Sequence, residues 1–208
     1  MNSAASAAVL LLISAPSGGG KTTVCRRLLA ATPGLERAVT CTTRAPRGGE
    51  RGSVDYHFLT AEEFERRVAA GEFLEHATVY ANRYGTLKSE VLGRLRHGRD
   101  VLLNIDVQGA ASVRAAAAAD PEIGGTLVTA FLLPPSLEEL RRRLAGRGED
   151  APEVIARRLA VAEAEMAEAP HFGYIVPSGT MDDDLASMRA ILRAEKLRAV
   201  RFRAAPQS

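Results

Sequence analysis

Apolar residues fall along this chain in two textures. Residues 9–13 form an unbroken apolar run ending in a Gly-rich turn, the pattern of a central strand covered on both faces of a parallel sheet. Helix formers follow over 22–31, with Leu28 and Leu29 on one face and a stop before Pro33 and Gly34, so a helix is predicted there. Apolar segments at 101–105, 126–133 and 174–176 predict further strands, and the stretches 88–97, 110–119, 137–145 and 185–199 predict helices between or after them. Strands alternating with helices in this way predict an α/β fold with a mostly parallel sheet. Between 40 and 92 the texture changes to short polar strands rich in Gly and Tyr, with one helix near 62–70, which predicts an inserted subdomain. Residues 136–170 form two helices rich in Arg and Glu, joined by Gly146-Arg147-Gly148 with little apolar surface at the joint, the pattern of a movable lid.

Length and charge narrow the partners. A chain of 208 residues, 46% hydrophobic and 25% charged, supports one sizeable core and neither disorder nor a fibrous fold. Its 27 basic and 25 acidic residues nearly cancel, and no block of Lys or Arg forms a nucleic-acid footprint. Cys25 and Cys41 have neither metal-ligand spacing nor companions for a disulfide framework, so a reduced, cytoplasmic setting is expected. Residues 1–8 lack a positive cluster and the run 9–13 is too short to span a bilayer, so neither export nor a membrane partner is expected.

The chemistry begins at Ala15-Pro16-Ser17-Gly18-Gly19-Gly20-Lys21-Thr22, which follows the phosphate-loop pattern G-x-x-x-x-G-K-[ST] with Ala15 in the first Gly position. Glycines let successive N–H groups turn toward phosphate oxygens, and the following helix adds its positive end. Ala15 through Thr22, with Thr23 next along the helix, are therefore the expected ATP-binding residues. Lys21 would reach the β- and γ-phosphates, and the Thr22 hydroxyl would ligate Mg²⁺. A plain Gly-rich turn with a surface lysine is the alternative; the position between an apolar strand and a helix favours the phosphate role. The loop leaves the phosphoryl acceptor open, because many enzyme classes share it.

Thr40-Cys41-Thr42-Thr43-Arg44-Ala45-Pro46-Arg47-Gly48-Gly49-Glu50, then Gly52, Asp55, Tyr56 and Phe58, Phe73-Leu74-Glu75, Asn82-Arg83-Tyr84-Gly85-Thr86, Ile105-Asp106-Val107-Gln108-Gly109 and Gly146-Arg147-Gly148 resemble the guanylate kinase family in order over about 9–166. That resemblance implies a guanylate kinase-like domain over 7–188. It would comprise a three-layer P-loop NTPase core (about 7–39, 93–135 and 171–204), a GMP-binding subdomain (about 40–92) and a helical lid (about 136–170). It implies transfer of a phosphoryl group from ATP to GMP, with dGMP also accepted. Arg44, Arg47, Tyr56 and Tyr84 would then grip the GMP phosphate, as two arginines three apart beside tyrosines can do through charge-assisted hydrogen bonds. Guanine offers donors at N1 and N2 and an acceptor at O6, which the carboxylates of Glu75 and Asp106 and the hydroxyls of Thr40 and Thr86 suit. Lys21, Arg143, Arg147 and Arg158 take the catalytic positions, while Arg141, Arg142 and Arg157 are expected to face solvent. Two departures stand out: Asn104 occupies a position where the family usually has Asp, and Pro177-Ser178-Gly179-Thr180 replaces a usual Asn-Asp after the last strand. Two rival readings use the same residues, a guanylate-kinase-like protein-binding module and a kinase for another small phosphorylated acceptor. The sequence assigns no oligomeric state.

Overall fold

The computed structural model describes residues 7–79, 81–146 and 152–202. In chain order its elements are β1 (Leu10–Ser14), α1 (Lys21–Ala31), β2 (Leu35–Arg37), β3 (Cys41–Thr42), β4 (His57–Phe58), α2 (Ala61–Ala69), β5 (Phe73–Val79), β6 (Asn82–Leu87), α3 (Lys88–Arg96), β7 (Asp100–Asn104), α4 (Val107–Ala119), α5 (Pro121–Gly124), β8 (Leu127–Leu133), α6 (Leu137–Ala145), α7 (Pro152–Ala167), β9 (Tyr174–Pro177) and α8 (Met181–Lys196).

The main sheet runs β2-β7-β1-β8-β9 with every pair parallel. β1 lies at its centre and alternates between two cores. Leu10 and Leu12 pack with Val91 and Leu95 of α3 and with Val107, Ala110 and Val113 of α4. Val9, Leu11 and Ile13 pack on the other face with Val24 and Leu28 of α1 and Met188, Ile191 and Leu192 of α8. Helices on both faces explain why the run 9–13 carries no polar residue, since each such side chain contributes about 1.5–3 kcal/mol when fully buried. The fold is the expected α/β architecture, with three layers and a parallel sheet.

A second sheet, β4-β3-β6-β5, carries the inserted segment. It is held by a small core of Cys41, Phe64, Phe73 and Leu87, with Phe64 and Phe73 stacked 4.5 Å apart. The expected division at 92/93 falls inside α3, whose Val91 and Leu95 belong to the main core; the change of sheet comes at the start of α3.

One element and two boundaries differ from expectation for identifiable reasons. β2 was not predicted, since only Leu35 of its three residues is buried; it lies on the sheet edge, where Glu36 pairs with Arg94 and Arg99. α4 starts three residues earlier than predicted because the Asp106 carboxylate caps it, accepting from Gly109 N–H at 2.8 Å. α8 starts at Met181 because Thr180 caps it and Asp182, Asp183 and Asp184 fill its first turn, where acidic groups suit the helix dipole.

The chain order places the cleft. β1 leads into α1 on one face of the sheet, while its neighbour β7 leads into α4 on the other. Diverging connections open a crevice at the carboxyl ends of these two strands, the place where open α/β sheets bind ligands.

Candidate functional site

The loop 15–20 leaves β1 at that crevice. Gly18 and Gly20 hold φ of 83° and 88°, conformations that residues with a Cβ rarely adopt, and Gly20 serves as the backbone N-cap of α1. The buried Ala15 methyl belongs to the core beneath the loop, so Ala in the first Gly position fits this geometry. Lys21, the first residue of α1, donates from Nζ to the Ile105 carbonyl at 2.7 Å, which bridges the loops that follow β1 and β7. Burial pushes its pKa down, opposed first by the nearby Asp106 carboxylate. Ala15 through Thr23, Asp106, Arg158 and Glu165 line a cleft of about 760 Å³.

A second, smaller cleft of about 180 Å³ lies beside it, lined by Thr40, Tyr56, Glu75, Ala77, Tyr84, Gly85, Asn104, Ile105 and Asp106. Asp106 faces both cavities. Glu75 enters the smaller one from β5 at a register irregularity between Phe73 and Glu75. It is 7% exposed and accepts from Thr86 Oγ1 at 2.6 Å. Burial pushes its pKa up, partly offset by the Thr86 hydrogen bond, while Asp106 pushes it further up. The cavity is thus formed around a buried carboxylate whose donors both come from Thr86, its hydroxyl and its backbone, and further N–H donors such as those of guanine would suit it.

Gly85 makes this strand pairing possible. A Cβ at Gly85 would stand 2.9 Å from the Glu75 carbonyl oxygen and 2.8 Å from Phe73 Cδ1. Gly85→Ala is therefore expected to part β5 from β6, lowering stability by about 1–3 kcal/mol. The acceptor KM should rise while the ATP KM stays near wild type, which steady-state titrations of the two substrates would check.

Of the residues expected to grip a phosphate, Tyr56 and Tyr84 line the same cleft. The Arg44 guanidinium lies 5.4 Å over the Tyr56 ring, and Tyr56 meets Tyr84 edge-on at 6.3 Å. Arg44 forms a two-pronged pair with Glu50 at 3.0 and 2.9 Å, and Glu50 also accepts from Arg47 N–H at 2.7 Å. These bonds, the Arg44 pair first, hold the Glu50 carboxyl below its usual range. Glu50 is thus a resident anion on the Arg44 guanidinium, which is expected to receive a phosphate, and on the Arg47 backbone N–H, a role that its spacing three residues after Arg47 could have signalled. The Arg47 side chain is exposed.

α6 and α7, the helices expected to form a lid, pack through Leu140, Leu144 and Ala162. Arg141, Arg142 and Arg157 are exposed, as expected. Arg158 reaches the larger cleft, whereas Arg143 does not: its Nε pairs with Glu139 at 2.9 Å and its guanidinium donates to Ser178 Oγ at 3.1 Å. In the nucleotide-free structure Glu139, one turn back, and the loop after β9 hold the Arg143 guanidinium away from the larger cleft, where the sequence expects it. Arg147 lies outside the described residues. Ser178 in turn donates to Asp184 at 3.0 Å, and Asp184 accepts from Gly179 N–H at 2.9 Å. The buried Asp184 thus orders the turn at Pro177-Ser178-Gly179-Thr180. Sequence reasoning assigned no role to Asp184 or Glu165, because both sit among helical acids that resemble a solvated face.

Magnesium fits the larger cleft in a form carried by phosphates. The Thr22 side chain is exposed there, and among the described residues no three His, Cys, Asp or Glu side chains gather as a protein-built metal site. One hydroxyl plus phosphate and water oxygens matches the way Mg²⁺ is ordinarily held with nucleotides.

Comparison with known proteins agrees with this geometry. A family model described as guanylate kinase matches residues 7–195. The chain is 47% identical to a guanylate kinase of Symbiobacterium thermophilum over 88% of this chain and 83% of that protein. It is 48% identical to one of Paramagnetospirillum magneticum over 86% and 80% respectively. A crystal structure of guanylate kinase from Anaplasma phagocytophilum superposes with a TM-score of 0.72 at 32% identity, covering 95% of this chain and 90% of that one.

Proposed function

The chain belongs to the guanylate kinase family, and from that premise we propose how its two clefts move the γ-phosphoryl group of ATP onto GMP. It is a nucleoside monophosphate kinase, and the observation that carries the assignment of roles is that Asp106 faces both cavities, so that the two nucleotides meet end to end.

ATP occupies the larger cleft, its phosphates on the loop N–H groups and Lys21 Nζ. For that, Lys21 exchanges the Ile105 carbonyl for phosphate oxygens. The Thr22 hydroxyl would help to hold Mg²⁺, which would supply positive charge to offset that of the phosphates. GMP occupies the smaller cleft. Glu75 and Asp106 accept from guanine N1 and N2, with Thr40 and Thr86 completing the edge. Arg44, Arg47, Tyr56 and Tyr84 take the phosphate, Arg44 leaving its pair with Glu50. An oxygen of the GMP phosphate attacks the γ-phosphorus in line, the bond from that phosphorus to the β–γ bridging oxygen breaks, and ADP leaves as GDP forms. No side-chain base is required, because the attacking oxygen is already ionised near neutral pH. Lys21 and Arg158 face the charge that spreads over the transferring group, and electrostatic stabilisation of that kind is the main work of such sites. Closure of the lid, with Arg143 and Arg147 moving in, would exclude water. The base and the phosphate are read by charged groups, so dGMP serves beside GMP. The setting is the cytoplasm, and among the described residues no helix is long and apolar enough to cross a membrane.

The experiment is ADP formation from Mg·ATP with GMP, dGMP, AMP and UMP offered separately. GMP-dependent turnover with AMP at least a hundredfold weaker is expected. Turnover with a different acceptor would overturn the guanine pocket while keeping the kinase, and nucleotide binding without turnover would favour the binding-module reading.

A further inference from the structure

The larger cleft, made for phosphates, contains a carboxylate. Glu165 comes from the second lid helix, α7, and accepts from the Ser17 backbone N–H at 2.8 Å. An acid in such a place either fills the anion site until nucleotide displaces it or holds the loop in shape. The other donors of the loop decide between these. Gly19 N–H is spent within the loop on the Pro16 carbonyl at 2.9 Å. The N–H groups of Gly18, Gly20, Lys21 and Thr22 have no acceptor among the described residues. Glu165 therefore occupies the Ser17 N–H and leaves those of Gly18, Gly20, Lys21 and Thr22 open.

The lid grips the loop a second time one residue further on. Leu140 and Leu144 of α6 lie over Gly18, so closely that a Cβ there would stand 2.7 Å from Leu144 Cδ2 and 3.3 Å from Leu140 Cδ1. The loop is thus held to the lid by an apolar contact at Gly18 and a charge-assisted hydrogen bond at Ser17. Arg158 lies seven residues before Glu165 on α7, two turns away on the same helix face, and lines the same cleft. Fixing Glu165 therefore fixes where Arg158 arrives. The carboxylate also favours the charged form of the half-buried Lys21.

We infer that Glu165 is a positioning residue for phosphoryl transfer, which anchors the Ser17 N–H of the phosphate loop to lid helix α7 and thereby aligns the loop with Arg158. The inference rests on the nucleotide-binding reading of that loop. Glu165→Gln keeps an acceptor oxygen at the same reach, Glu165→Ala removes it, and Glu165→Asp keeps the charge but stops one methylene short.

The test is steady-state ADP formation with Mg·ATP and GMP varied in turn, alongside thermal unfolding of the nucleotide-free proteins. Glu165→Ala and Glu165→Asp are expected to lower kcat/KM for ATP at least tenfold, with the GMP KM within twofold of wild type and the unfolding midpoint little changed. Glu165→Gln should stay within about threefold of wild type. Wild-type kinetics in all three variants would overturn the anchor, and so would tighter ATP binding in Glu165→Ala, which would make the carboxylate a placeholder. Equal loss for both substrates with a lowered midpoint would reduce Glu165 to general packing. If Glu165→Ala does not fold, the contrast between Asp and Gln decides the matter. Failure of the wild-type protein to phosphorylate GMP would instead count against the reading on which the inference rests.

Discussion

Replacing Lys21 with Met is expected to slow phosphoryl transfer about a thousandfold, a loss of about 4 kcal/mol of transition-state stabilisation. Met keeps much of the aliphatic stem and removes the one cation that the fold delivers to the loop from the start of α1. In the structure its ammonium is poised on the Ile105 carbonyl, so removing it costs only a short hydrogen bond in the resting protein. Folding should therefore survive, and nucleotide-free unfolding curves should nearly coincide with those of wild type. Single-turnover rates at saturating Mg·ATP and GMP make the measurement. An unchanged rate would remove Lys21 from the chemistry and return the loop to a structural turn.

Glu75→Ala is expected to lower kcat/KM for GMP by at least a hundredfold while leaving the ATP KM within a few-fold. A site that pairs with particular N–H groups loses both the attraction to the right base and the penalty on the wrong one. Discrimination against AMP should fall with it. The same residue makes GMP recognition sensitive to pH. Burial raises the Glu75 pKa above its unfolded value, so the folded protein holds the proton more tightly than the unfolded chain. Between the ordinary carboxyl pKa and the raised one, the nucleotide-free protein is therefore stabilised as pH falls, while above the raised value the buried charge costs stability. GMP needs the opposite form, because only the carboxylate accepts from both N1 and N2. GMP affinity should accordingly weaken as pH drops through the raised pKa. Glu75→Gln should unfold at a higher temperature than wild type at neutral pH, yet bind GMP poorly. Calorimetric GMP titrations over pH, compared between wild type and Glu75→Gln, would separate the two effects; a pH-independent difference would remove Glu75 from base recognition.

Much of this protein is legible along its chain because the responsible physics is local or periodic. The run 9–13 announces a strand buried on both faces, and the Gly-rich turn before Lys21 announces an anion cradle, since each depends on neighbouring residues alone. Motif order also singled out residues that the fold gathers: Thr40, Tyr56, Glu75, Tyr84 and Asp106, spread over 67 positions, line one cavity. Short or polar elements left weaker traces. β2 buries a single residue, and the starts of α4 and α8 depend on caps at Asp106 and Thr180 rather than on apolar period.

The sequence by itself determined the fold class, the Gly-rich loop between β1 and α1 and the residue types of the proposed guanine pocket, because periodicity, backbone freedom and residue type are properties of short stretches. Only the tertiary structure decided the pairings among charged side chains. The chain holds 27 basic and 25 acidic residues, and many pairings satisfy charge equally well until the fold restricts them. The fold turns Arg143 toward Ser178 rather than the phosphates, rests Arg44 on Glu50, and sends Glu165 across 148 residues to the Ser17 N–H. Those choices follow from packing between helices and loops distant in sequence, which no local pattern encodes.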